Sequence, residues 1–168
     1  MRIVLAMLMT LLLVGCSDTD SQSNTTQASQ PEQMFEWKLV TTWPKNYPGL
    51  GLGPENFATK VAAMSAGRLK IKVYGAGQLV PAFEVFDAVS QGTAEMGHGA
   101  SYYWTGKAKA AAFFTSVPFG LNAQEMNGWL HYGGGLELWR ELYDEFNLVP
   151  FAGGNTGVQM AGWFNREI

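Results

Sequence analysis
Arg68-Leu-Lys-Ile-Lys-Val-Tyr74 alternates apolar and polar side chains without a break, the period-two pattern of a β-strand. Working back, Gly67 is a natural helix stop, and Phe57, Val61 and Met64 fall at helical spacing behind Pro54, a residue suited to a first helical turn. Before that, Trp43 to Gly53 is a loop by its Pro and Gly content, and Phe35 to Thr42 is a β-prone, alternating strand. Working forward, Gly75 to Pro81 reads as a loop. Phe83, Val85, Phe86 and Val89 make an apolar helical face ending at Gly92, and Glu95-Met-Gly-His98 is a short third strand. The order β-α-β-α-β with helical connections predicts an α/β fold with a mainly parallel sheet. Ligands of such sheets sit at the carboxyl ends of the strands, so the loops after Thr42, Tyr74 and His98 form the candidate rim.

Beyond His98, Tyr102-Tyr103-Trp104 begins a second region. Ala108 to Phe114 is small and apolar and reads as helical, with Pro118 and Gly120 breaking it. Ala123–His131 and Leu136–Phe146 read as two helices around Gly133-Gly-Gly135, with Glu137, Arg140, Glu141 and Asp144 on a solvent face. Leu148–Phe151 is expected to be a strand, Gly153–Gly157 a polar turn, and Val158 to Phe164 a second buried run. Asn155, Thr156 and Gln159 would then lie beside a strand crossing, where small-molecule pockets are common. Trp37, Trp129, Trp139 and Trp163 are expected in the core.

The chain has 168 residues, a net charge of −3, 15% charged and 47% hydrophobic residues, 20 glycines and 6 tryptophans. That composition supports a packed core and gives nucleic-acid binding little support, since no basic block occurs. The N-terminus is a targeting segment. Arg2 precedes the apolar run Ile3 to Val14, too short to span a bilayer, and Leu13-Val-Gly-Cys16 has the form of a lipobox. Residues 1–16 therefore read as a lipoprotein signal peptide with Cys16, the chain's single cysteine, as the lipidated residue. The other reading is an ordinary secretory signal with an incidental cysteine. Residues 17–34 are a polar, flexible tether.

No catalytic constellation stands out. Neither His98 nor His131 lies in a nucleophile motif, and no metal-ligand spacing accompanies His98. Gly49-Leu-Gly-Leu-Gly53 before a helix hints at a dinucleotide, but Asn56 stands where the third glycine belongs, and no acidic residue closes the second strand. An exported nucleotide-binding α/β oxidoreductase is the alternative reading.

Six stretches together carry a resemblance: Leu39–Lys45, Gly67–Tyr74, Gly77–Val89, Gly92–His98, Val117–Leu121 and Gly154–Phe164. They resemble the substrate-binding subunit of tripartite ATP-independent periplasmic (TRAP) transporters, in the branch that binds 2-oxo and hydroxy acids with a metal cation. The resemblance implies a non-catalytic, periplasmic-binding-protein-like fold of two lobes closing on a carboxylate, with residues 35–152 as the first lobe and 153–168 crossing into the second. It implies Gln159 as a ligand of Na⁺ or Ca²⁺, Asn155 as a substrate contact, Tyr102 and Tyr103 as pocket wall and hydroxyl donor, and Trp43 on the rim. Partners implied are a small organic acid, the membrane permease subunits, a lipid anchor, and a second copy in a homodimer. The family's carboxylate-binding arginine would follow the present residues, so the chain reads as truncated before most of the second lobe and is expected to bind 2-oxo acids poorly alone. On residues alone, Tyr102-Tyr103-Trp104 could be plain packing, Gln159 could satisfy a backbone group, and Asn155 could be only a turn former.

Overall fold
The computed structural model describes residues 33–159 and 162–167. Three strands, β1 (Phe35–Thr41), β2 (Leu69–Tyr74) and β3 (Met96–His98), form one sheet in the order β2-β1-β3, with every pairing parallel. Leu39 of β1 is in register with Val73 on one side and Met96 on the other. The expected parallel α/β architecture is therefore present.

Helix α1 (Leu52–Met64) connects β1 to β2, and α2 (Val85–Ser90), entered through a 3₁₀ turn at Ala82–Glu84, connects β2 to β3. The two connections lead to opposite sides of β1, so right-handed crossovers place α1 and α2 on opposite faces of the sheet. Alternation along β1 agrees. Val40 packs with Val85, Phe86 and Ala88 of α2, and the neighbouring Leu39, also buried, points to the other face. Gly97 permits the α2 contact, since a Cβ there would stand 2.9 Å from methyls of both Val85 and Val89.

The rest of the main core comes from the chain after β3. Two 3₁₀ turns, Ser101–Trp104 and Lys109–Phe114, contribute Trp104 and Ala111, where the sequence suggested a regular helix over Ala108 to Phe114. Helix α3 (Ala123–Tyr132) starts in a capping box: the Asn122 side chain accepts from the amides of Gln124 and Glu125, and Glu125 Oε2 accepts from the Asn122 amide. Helix α4 (Gly135–Asp144) follows Gly134, whose φ of 83° needs a glycine. Phe114, Met126 and Leu130 make a second small core, against which Trp129 and Trp139 pack half-buried.

Several expectations are corrected. Leu148–Phe151 joins no ladder, and Val149 and Phe151 are exposed, because no described strand lies beside them. The helix through Phe57, Val61 and Met64 exists, yet Phe57 is exposed and Met64 is 87% exposed. Trp37 and Trp163 are not core residues; Trp163 is 90% exposed. The described parts of 153–168 pair with no strand, and Val158 is exposed. Cys16, the signal segment 1–16 and tether residues 17–32 lie outside the described residues.

Candidate functional site
The strand order creates a switch point between β1 and β3, since the chain leaves β1 toward one face and β2 leads to β3 over the other. Ligand crevices of open parallel sheets form at the carboxyl side of such a point. Thr42 and Trp43 follow β1 there, and His98 ends β3.

Local hydrogen bonds fix this corner. The Thr41 hydroxyl donates to the Trp43 carbonyl at 2.5 Å and accepts from the Trp43 amide at 3.3 Å, a side-chain turn that aims the indole. The Trp43 carbonyl also accepts from the Ala76 amide at 3.0 Å, docking the loop after β2. The Thr42 amide donates to the His98 carbonyl at 3.0 Å, extending the β1–β3 ladder by one bond. The Trp43 and His98 rings then meet with centroids 5.0 Å apart at 55°.

The Ser101–Trp104 turn brings the tyrosines to the same corner. Buried Ser101 donates to the Ala111 carbonyl at 2.7 Å and shares a short hydrogen bond with Thr115, tying the two 3₁₀ turns together. Tyr103 lies 6.2 Å from Trp43, meets Tyr102 at 4.8 Å and 76°, and takes Phe83 edge-on at 5.4 Å and 87°. Trp43, His98, Tyr102, Tyr103 and Phe83 thus form one aromatic cluster, termed the cup. Burial, reinforced by the neighbouring Tyr102 hydroxyl, pushes the Tyr103 phenol above its ordinary pKa, so it remains a hydrogen-bond donor at neutral pH. Burial pushes His98 below the ordinary histidine value, so its ring is neutral at pH 7. Thr42 Oγ1 and His98 Nδ1 are both buried and have no hydrogen-bond partner among the described residues.

Three of the expected site residues, Trp43, Tyr102 and Tyr103, are therefore brought together. The other two lie on the segment after α4. Its Gly153 passes near His98: a Cβ added there would be 3.5 Å from both Cδ2 and Nε2 of the ring. Asn155 Oδ1 accepts from the Gly157 amide at 2.6 Å, a local turn that Gly157 completes at φ 79°. Asn155 and Gln159 are exposed, and no hydrogen bond or aromatic contact among the described residues joins either to the cup. Among the described residues no group of three His, Cys, Asp or Glu is placed to hold a metal. His98 and Phe83 were not singled out by motif. The signal available was position alone: His98 ends a strand at the rim.

The glycines before α1 serve the loop itself. A Cβ on Gly51 would stand 2.4 Å from the Pro44 carbonyl oxygen and 2.5 Å from the Tyr47 nitrogen, so close backbone approach requires glycine there. Gly49, at φ 72°, likewise suits the loop's own backbone.

Residues 39–168 match the family described as bacterial extracellular solute-binding protein, family 7. A monocarboxylate 2-oxoacid-binding periplasmic protein of Nostoc sp. is 48% identical over 159 residues, which is 95% of this chain and 42% of that protein. A TRAP periplasmic solute-binding protein of Pseudoalteromonas atlantica, solved with bound sodium and pyruvate, matches with a TM-score of 0.77 at 48% identity, over 81% of this chain and 41% of that one. One from Colwellia psychrerythraea, with bound calcium and pyruvate, matches with a TM-score of 0.77 at 46% identity, over 80% of this chain and 41% of that one. The chain thus spans less than half the length of these relatives. All three are solute-binding proteins, and they give the oxidoreductase reading no support.

Proposed function
Because the chain belongs to family 7 of the bacterial extracellular solute-binding proteins, we propose that it serves to capture a small 2-oxo or hydroxy carboxylate outside the cytoplasm for a TRAP-type secondary transporter. The observation that carries this reading is the 48% identity to a protein solved with pyruvate and sodium, over the part that includes the cup. Trp43 and Tyr103 wall the ligand, and the Tyr102 and Tyr103 hydroxyls are available to its oxygens. Asn155 and Gln159 face it from the segment after α4, which crosses toward a second lobe. A Na⁺ or Ca²⁺ held partly by the Gln159 amide oxygen offsets the cost of desolvating the carboxylate and orients it.

The test is calorimetry with pyruvate, with and without Na⁺ or Ca²⁺, on the chain joined to the remaining length of the Nostoc relative. Gln159→Ala is expected to weaken pyruvate and cation binding together, each by about tenfold, because the two are linked through one site. Wild-type affinity with wild-type cation dependence in that variant would make Gln159 a structural residue. Adding NAD to a thermal-shift series separates the oxidoreductase reading, which needs a rise in melting temperature with the nucleotide.

The same reading includes a periplasmic location, delivery to membrane permease subunits, and pairing with a second copy. Cys16 carries the lipid that anchors the chain to the envelope. Cys16→Ala is expected to block processing or to move the protein from the membrane to the soluble fraction. Membrane attachment that survives Cys16→Ala points instead to an ordinary secretory signal.

A further inference from the structure
We propose that Gln78 is a positioning residue for Trp43: its side-chain carbonyl locks the Gly75–Gln78 turn, the locked turn aims the Ala76 amide at the Trp43 carbonyl, and that bond holds the indole at the rim. The proposal rests on the reading above only for the ligand wall assigned to Trp43.

The links are consecutive hydrogen bonds. Gln78 closes the turn twice: its amide donates to the Gly75 carbonyl at 3.0 Å, and its Oε1 accepts from the Gly75 amide at 2.8 Å. Gly77 stands third in the turn at φ 76°, a place that suits glycine, and its amide donates to the Val80 carbonyl at 3.1 Å. Ala76, second in the turn, donates outward, and its acceptor is the Trp43 carbonyl at 3.0 Å. The same carbonyl accepts from the Thr41 hydroxyl at 2.5 Å. It is therefore held from two sides, by β1 itself and by the loop after β2.

The two loops are close enough to pass a shift from one to the other. A Cβ on Gly75 would stand 2.8 Å from the Lys45 nitrogen and 2.9 Å from Lys45 Cγ, so they pack backbone against backbone. Pro44 follows Trp43 and disfavours helical backbone there. The anchored carbonyl fixes much of the freedom that remains to Trp43, and the indole follows it to the rings of His98 at 5.0 Å and Tyr103 at 6.2 Å. Gln78 is exposed, so its side chain acts through its acceptor and not through burial. Without that oxygen the buried Gly75 amide is left unpaired, a state folded chains avoid, and the turn has to move to satisfy it. Glutamate offers the same oxygen at the same reach; methionine matches the length without it.

The test uses the present chain, without ligand, labelled with 5-fluorotryptophan. It contains 6 tryptophans, and Trp43→Phe assigns the Trp43 resonance by its absence from the ¹⁹F spectrum. Gln78→Met is expected to shift or broaden that resonance by more than its linewidth, and Gln78→Glu at pH 7 to leave it at the wild-type position. Ala76→Pro puts proline where such turns accept it but removes the N–H, and should displace the resonance with Gln78 still in place. A purely structural turn residue gives another pattern: Gln78→Met lowers the melting temperature and leaves the Trp43 resonance where it was. That outcome overturns the proposal. So does a resonance displaced as far by Gln78→Glu as by Gln78→Met, or one that Ala76→Pro does not move. If Gln78→Met collapses the whole spectrum, Gln78→Asn, whose amide stops one methylene short, replaces it under the same criteria. No ligand is present, so an unmoved Trp43 resonance leaves the carboxylate reading standing, and failed pyruvate binding in the joined chain leaves this result standing.

Discussion

Phe114→Ala is expected to cost about 3–5 kcal/mol, a large part of the roughly 5–15 kcal/mol that holds a typical domain folded. The Phe114 ring lies between two indoles, Trp129 at 5.7 Å and 10° and Trp139 at 5.4 Å and 4°. These are offset parallel stacks, which add to the area buried. The cavity left by its removal cannot close easily. A Cβ on Gly135 would already stand 2.6 Å from Trp129, so α4 presses that indole from behind, and Trp139 is held edge-on by Tyr143 at 5.7 Å. Urea unfolding should show a lower midpoint at an unchanged slope. Phe114→Leu should fall between the wild type and Ala. A loss below about 1 kcal/mol for Phe114→Ala would mean that the indoles collapse onto each other, contrary to the strong dependence of such costs on residual cavity.

Gly99→Ala is the second large effect, and it acts on the cup. An added Cβ would lie 2.4 Å from Trp104 Cη2 and 2.9 Å from both Trp104 Cζ2 and Thr42 Cγ2. Trp104 cannot retreat, because Phe86 stands behind it at 5.4 Å in the main core. Overpacking of this kind costs about 1–3 kcal/mol. The displaced turn carries Tyr102 and Tyr103, so near-ultraviolet circular dichroism should change along with the melting temperature. Gly106→Ala is the control: nothing stands within 4 Å of its added Cβ, and it should leave both readouts nearly unchanged.

The parts legible in the sequence were those whose cause is local. The alternation of Leu69, Ile71 and Val73 against Lys70 and Lys72 is what a strand exposed on one face requires. The Asn122 and Glu125 pair sets the start of α3 by hydrogen bonds three residues apart. Convergence of Trp43, Tyr102 and Tyr103 was within reach because the carboxyl ends of parallel strands meet at one edge. Apolar runs were less informative. Leu148–Phe151, Val158 and Trp163 are apolar enough for a core, but hydrophobicity records a preference for burial and does not say whether a partner surface exists among the described residues. His98 was hidden for another reason. A lone histidine has no spacing to read, and its position matters only once Trp43 is known to lie against its ring. Asn155 retains both of its readings, since its oxygen is engaged by the Gly157 amide in the described conformation.

β1 is the first strand along the chain and the middle one in the sheet. It cannot satisfy either edge from its own neighbourhood: Leu39 waits for Val73 on one side and for the still more distant Met96 on the other. Closing such long loops precedes any gain from the ladders, which makes non-local parallel pairing slow, whereas α3 and α4 form from contacts close in sequence. During that wait β1 presents open edges to other unfinished chains, the usual route to aggregation. The joint that closes last in this order is β1 with β3, and it is the one that brings Trp43 onto His98. A chain in which that pairing has not formed has its local helices but lacks the contact between Trp43 and His98.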